Sequence, residues 1–171
     1  MHNMQPENWP QFYTATIEGW KYLLKDDRYK DILINSFRFL TDNRRVRINA
    51  FVIMSNHVHI IWQALGDYNL QQVQTMYKKY TSQQFLKLLK EDNILKDYGV
   101  NAADRKHAFC KRNSLGTELF THEVLLQKLN YIHQNPVEAG MCNMPEHYKY
   151  SSALFYAKGS DEFGILEDYR G

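Results

Sequence analysis

The sequence has only two cysteines, Cys110 and Cys142. They are too few for a disulfide framework and wrongly spaced for a zinc knuckle, so both read as small buried hydrophobes. Its four prolines, Pro6, Pro10, Pro136 and Pro145, lie near the ends or in the last quarter, and no internal repeat or low-complexity linker divides the chain. No run approaches the roughly 20 apolar residues a membrane span requires. The start, with His2, Asn3, Gln5 and Glu7, lacks the apolar stretch of a signal peptide. These absences argue against a membrane protein and predict a cytoplasmic one. What is present is core-forming material: 44% hydrophobic and 14% aromatic content in 171 residues, enough for one sizeable core and short for two. The expectation is a single domain over 1–171.

The net charge of +2 is too small to identify a partner, but it is unevenly placed. From Lys78 to Arg112 there are nine basic residues (Lys78, Lys79, Lys87, Lys90, Lys96, Arg105, Lys106, Lys111, Arg112) against four acids (Glu91, Asp92, Asp97, Asp104), a window of +5 that leaves −3 elsewhere. Such a segment suits either a phosphate backbone or an ordinary solvated helix face.

Phe12 to Ile17 is rich in aromatic and β-branched residues and reads as a first strand. Asp26 or Asp27 can cap a following helix with Leu33, Phe37 and Leu40 on one stripe. Val46 to Met54 and His57 to Gln63 are β-rich runs separated only by Ser55-Asn56, the pattern of a hairpin. Leu70, Val73, Tyr77 and Tyr80 then share helical spacing, continued through Phe85, Leu88 and Leu89 in a long basic helix. His107 to Cys110 reads as a fourth strand, and Gly116 as a turn before a short extended piece ending at Phe120. Thr121 caps a last helix with Glu123 in its first turn and Leu125, Leu129 and Ile132 on one stripe, while Pro136 should bias Asn135 out of helical geometry. The order β-α-β-β-α-β-α predicts an α+β fold: a ferredoxin-like antiparallel sheet, helices on one face, and an added C-terminal helix.

Within the second run of the hairpin, alternation sends His57 and His59 to one face and Val58, Ile60 and Trp62 to the other. Two same-face imidazoles are either nitrogen ligands for one metal ion or a pair of polar surface histidines. Tyr131 and Asn135, four apart on the last helix, lie beside its apolar stripe and can face a shared site. With Asn135 as an oxygen donor, two nitrogens and one carbonyl oxygen leave positions open on a hard cation such as Mg²⁺ or Mn²⁺. Zinc is less favoured without cysteine. Tyr131, one of twelve tyrosines, equally suits simple packing. His133 sits roughly 160° around the helix from Tyr131 and reads as structural.

Met54 to His59 (MSNHVH), Tyr131 to Met141 (YIHQNPVEAGM) and Tyr148 to Ala153 (YKYSSA) occur in the order of three motifs of the REP-associated tyrosine transposases, and over Phe12 to Tyr156 the chain resembles that family. Residues 157–171 form a less diagnostic tail. The sequence departs from the family pattern at Ser55, usually proline, at Cys110, where a tryptophan is expected, and at Tyr150, commonly tryptophan.

The resemblance implies the HUH fold, with His57, His59 and Asn135 as ligands of Mg²⁺ or Mn²⁺ and Tyr131 as nucleophile. It also implies single-stranded or hairpin DNA as partner, no nucleotide cofactor, and a monomer or homodimer. Tyr131 would attack a scissile phosphate to give a 5′-phosphotyrosine and a free 3′-hydroxyl. Lys78 and Lys79 match a family region expected to contact DNA, and Arg105, Lys106, Lys111 and Arg112 are further phosphate-contact candidates. Two rival readings keep the fold: a DNA-binding module without catalysis, and a metal-dependent phosphodiesterase that uses activated water. A purely structural interaction protein is a third.

Overall fold

A computed structural model of the chain describes residues 8–17, 21–98 and 116–171. The expected first strand is β1 (Gln11–Thr16), followed by α1 (Asp27–Asp42) and the hairpin strands β2 (Val46–Ile53) and β3 (His57–Ala64). Then come α2 (Leu70–Glu91), the short strand β4 (Gly116–Glu118), α3 (His122–Glu138) and α4 (Ala153–Lys158). The expected strand at His107 to Cys110, and with it Arg105, Lys106, Lys111 and Arg112, lies outside the described residues. The fourth strand of the sheet is the extended piece that opens at Gly116.

All pairings in the four-stranded sheet are antiparallel, in the order β2-β3-β1-β4. This is the ferredoxin-like order. One face carries α1 and α2 over a core that includes Tyr13, Phe37, Phe51, Ile60, Trp62 and Tyr77. The other carries α3, with Phe12, Ala50, Val52, Ile61, Leu125, Leu129 and Ile132 between helix and sheet. Because both faces are covered, β2 and β3 are buried along nearly their whole length. Continuous apolar runs, and not a half-polar alternation, follow from that.

A bulge at Asn49 makes two-sided burial possible on β2. Ile48 pairs with Trp62, but Ala50 pairs with Ile61, so the alternation shifts by one residue. Val46 and Ile48 before the bulge, and Phe51 and Ile53 after it, therefore all point to the α1/α2 core. Asn49 is itself held by its amide, which donates to the Glu167 carbonyl at 3.0 Å. This fixed register decides the site, since a one-residue slip of β3 would turn both histidines to the opposite face.

Asp26 caps α1, accepting from the Arg28 backbone N–H at 2.9 Å, and Leu33, Phe37 and Leu40 are buried as expected. On α2 the buried positions are Val73, Tyr77, Thr81, Ser82, Phe85 and Leu89. Tyr80, assigned to that stripe from sequence, is 38% exposed. The four-residue step runs through a threonine, whose hydroxyl donates to the Tyr77 carbonyl at 2.8 Å; an apolar count skips it. Thr121 caps α3 as expected, accepting from the Val124 N–H.

Pro136 does not end α3, which runs on to Glu138 with Asn135 still helical. Proline costs a helix the N–H bond to the carbonyl four residues back, and here only the last turn bears that loss. Pro136 is buried, and the Ala139 N–H still reaches the Asn135 carbonyl at 3.0 Å. The helix therefore keeps Asn135 one turn beyond Tyr131. Cys142, expected to be buried, is half-buried. No helix among the described residues is long and apolar enough to cross a membrane.

Candidate active site

His57 and His59 project from β3 onto the α3 side of the sheet, their ring centroids 4.7 Å apart. The turn that starts β3 is pinned from outside the hairpin: Ile17 N–H donates to the Asn56 carbonyl at 2.9 Å and Leu24 N–H to the Ser55 carbonyl at 3.0 Å. The proline expected at position 55 is thus replaced by a serine that two neighbouring segments help to hold.

Each imidazole is oriented through its Nδ1. His57 Nδ1 donates to Asn56 Oδ1 at 2.7 Å. His59 Nδ1 lies 2.8 Å from the Thr14 hydroxyl on β1, directly across the strand pair. The His57 ring also bonds the Asn135 side chain, whereas Nε2 of His59 is buried with no hydrogen-bond partner. A buried, unpaired nitrogen costs about 1–3 kcal/mol, a cost that a bound ligand would offset. Burial lowers the pKa of both rings. His59, with the charges of His57 and Lys128 adding to the effect, falls to about 3. His57 is also lowered, although a hydrogen bond with the Asn135 side chain opposes the shift. Both imidazoles are therefore neutral at physiological pH, the form that ligates metals.

Tyr131 comes to the histidines from α3. Its ring meets His59 edge-on at 5.3 Å between centroids and Phe12 at 6.0 Å. It is 44% exposed, unusual for a tyrosine used in packing. Leu125, Leu129 and Ile132 are buried on the adjacent stripe, so the helix is anchored by one side and presents Tyr131 and Asn135 on the next. The expected constellation of His57, His59, Tyr131 and Asn135 is therefore a single cluster. His133 points elsewhere: its Nε2 lies 2.8 Å from Ser152 Oγ, and burial lowers its pKa to about 4. It is part of the packing between α3 and the segment before α4.

The donor set suits a hard divalent ion. Among the described residues no cluster of three or more His, Cys, Asp or Glu could hold a metal; an ion bound here would be held by two imidazoles and an amide. The partnerless Nε2 of His59 and the second-sphere bonds at both Nδ1 atoms fit such an ion. Lys78 and Lys79 are not brought to this cluster. They lie on α2, on the far face of the sheet. Thr14, Asn56 and Lys128 were not singled out from sequence; the first two orient the histidines, and the last sits beside Tyr131. Thr14 becomes visible only through the register that pairs it with His59.

The third motif, Tyr148 to Ala153, clamps the frame. Tyr148 hydroxyl donates to the Ile53 carbonyl at 2.7 Å, and Ile53 N–H donates to the Tyr150 carbonyl at 2.9 Å. Ser152 Oγ accepts from Phe51 N–H at 3.1 Å while also meeting His133. The motif thus ties β2 and α3 together behind the histidines.

Comparison with known proteins agrees with this architecture. Residues 17–101, about half the chain, match the family of IS200-like transposases. A REP-associated tyrosine transposase solved bound to a REP hairpin superposes with a TM-score of 0.67 at 18% identity, over 98% of this chain and 91% of that one. A candidate transposase from Deinococcus radiodurans R1 superposes with a TM-score of 0.51 at 11% identity, over 77% of this chain and 95% of that one. No curated protein matches the chain in sequence. With its ferredoxin-like sheet and the match across residues 17–101, this chain is similar to the IS200-like transposases and has the fold of the REP-associated tyrosine transposase.

Proposed function

We propose that this protein is a metal-dependent single-strand DNA endonuclease and strand transferase that works through a 5′-phosphotyrosine intermediate. The observation that carries the reading is the half-exposed Tyr131 ring set against His59, whose buried Nε2 has no protein partner. A nucleophile and a ligand in want of a metal then share one cleft.

The phenol oxygen of Tyr131 forms a bond to phosphorus as the bond to the 3′-oxygen breaks. In net terms the phenol proton passes to that 3′-oxygen, leaving a 3′-hydroxyl and a covalent 5′-phosphotyrosine. The link keeps the phosphodiester bond energy, so a second 3′-hydroxyl can rejoin the strand without a nucleotide cofactor. A divalent ion held by His57, His59 and Asn135 supplies charge that stabilises the oxygens of the phosphate. The protein's own part is positional: β3 fixes the histidines, α3 fixes Tyr131, and the Phe12 ring packs against both His59 and Tyr131. Holding reactants in line this way contributes several kcal/mol to a displacement.

The substrate in this reading is a hairpin or palindromic repeat with a single-stranded flank, as the solved relative was captured on a REP hairpin. Lys78 and Lys79 on α2 would then meet duplex backbone away from the cleft, with Arg105, Lys106, Lys111 and Arg112 as further contacts. The protein acts in the cytoplasm as a monomer or homodimer.

The test is a denaturing-gel assay of wild type and Tyr131→Phe, with Mg²⁺ or Mn²⁺, on labelled strands covering palindromes that flank the gene. Cleavage with a protein-linked adduct in wild type alone supports the reading. Equal cleavage by both proteins sinks Tyr131 as nucleophile and favours activated water.

A further inference from the structure

Lys128 lies one turn before Tyr131 on the same side of α3, as three-residue spacing requires. Its ammonium sits 4.8 Å from the centroid of the Phe12 ring and 5.7 Å from that of Tyr131. The side chain is half-buried, and among the described residues no carboxylate forms an ion pair with it. The usual use of a surface lysine, a solvated charge or a salt bridge, does not describe it. Its charge is also felt in the cleft, where it is among the causes that hold His59 neutral.

An unpaired cation resting on aromatic faces is stabilised by about 0.5–2 kcal/mol, which holds it in place without neutralising it. A divalent ion at the neighbouring histidines would add charge of the same sign. Such a cleft is electrostatically incomplete until an anion enters, and a phosphodiester is the anion that the reaction brings beside Tyr131. A lysine ammonium is a compact point charge with three donors, suited to one phosphate oxygen.

We propose that Lys128 is a catalytic residue of this site that binds a non-bridging oxygen of the scissile phosphate on the Tyr131 side. The proposal rests on the tyrosine-nuclease reading. In it, Lys128 places phosphorus against the phenol oxygen and offsets the charge that builds on the phosphate as the Tyr131–phosphorus bond forms and the bond to the 3′-oxygen breaks. The lysine itself neither gains nor loses a proton.

Two measurements on the full-length protein test it. The first compares wild type, Lys128→Gln and Lys128→Arg for adduct formation with Mn²⁺ on the labelled strands. Lys128→Gln should lower the rate at saturating DNA about a hundredfold, the scale for removing one preorganised donor to a developing oxyanion. Half-saturation should weaken only severalfold, the share of one phosphate contact and far less than the loss in rate, and Lys128→Arg should restore most of the rate. An unchanged Mn²⁺-induced thermal shift in both variants excludes a merely structural loss. The second measures binding of the same strand against salt concentration in the Tyr131→Phe background, where no chemistry is needed. Adding Lys128→Gln should reduce the slope of log affinity on log salt by about 0.7, one phosphate contact to a single strand. A wild type that makes no adduct sinks the nuclease reading and leaves the salt slope to decide Lys128. Adduct formation by Lys128→Gln at the wild-type rate, or an unaltered slope, overturns the proposal.

Discussion

The Thr14 hydroxyl on β1 lies 2.8 Å from His59 Nδ1 on β3, and the opposite nitrogen of that ring is buried with no partner. A threonine on one strand thus sets which nitrogen of the imidazole faces the cleft. Outer-sphere partners of this kind are worth about 10- to 100-fold in metal affinity. Thr14→Val keeps the shape and the β-branch while removing the hydroxyl, so Mn²⁺ binding measured by calorimetry should weaken by that factor, and the unpaired Nδ1 should cost about 1–3 kcal/mol of stability. Undiminished affinity would remove Thr14 from the site.

Ser152 joins β2 and α3 through one hydroxyl, accepting from Phe51 N–H at 3.1 Å and lying 2.8 Å from His133 Nε2. The residue is fully buried. Ser152→Ala leaves the Phe51 N–H and the His133 ring unpaired in a space that water does not readily reach, and should cost about 1–3 kcal/mol per orphaned group. Urea unfolding monitored by circular dichroism reads this directly. A loss below half a kcal/mol would mean that the hydroxyl is not a structural hub.

Alkaline stability follows from three phenols, Tyr150 buried and Tyr148 and Tyr156 half-buried. Burial raises the pKa of Tyr156 to about 12, with its hydroxyl donating to the Asn49 carbonyl at 2.8 Å. Burial likewise holds Tyr148 and Tyr150 above the ordinary phenol range. In the unfolded chain these groups ionise near pH 10, so the folded state binds more protons above that point. Their contribution is complete below pH 10 and is lost as pH rises through 12. Unfolding free energy should decline from pH 9.5 upward, and Tyr156→Phe should flatten part of that decline while lowering the plateau below it. Parallel curves for the two proteins would show that Tyr156 does not carry the linkage.

Much of this architecture was legible in order and period. The hairpin of β2 and β3, the shared face of His57 and His59, and the neighbouring positions of Tyr131 and Asn135 are consequences of two- and 3.6-residue repeats. What sequence missed has physical causes. Thr81 on the buried stripe of α2 satisfies its hydroxyl within its own helix, so polarity misled the apolar count. Pro136 is tolerated because it falls in the last turn of α3. Thr14 and Lys128 reach the site through strand register and helix docking, and neither relation is encoded locally.

Metal binding is the remaining link between the cluster and its chemistry, and it can be read without any DNA. A ligand that binds only the folded state stabilises it by RT ln(1 + [L]/Kd), about 2.7 kcal/mol at one hundred times Kd. For a chain of 171 residues, 1 kcal/mol moves the melting temperature by about 2–4 °C. Wild type should therefore gain roughly 5–10 °C at saturating Mn²⁺ and lose the gain on adding EDTA. His59→Ala removes the partnerless nitrogen and should abolish the gain. Its baseline should also fall, because the His59 ring stacks on Phe12 at 5.3 Å and packs against Tyr131. The baseline and the metal-dependent increment separate packing from ligation. A His59→Ala protein that melts lower yet still gains the full increment would show that the ion binds elsewhere. A wild type with no increment at any Mn²⁺ concentration would leave the buried Nε2 without its proposed partner and remove the metal from the mechanism.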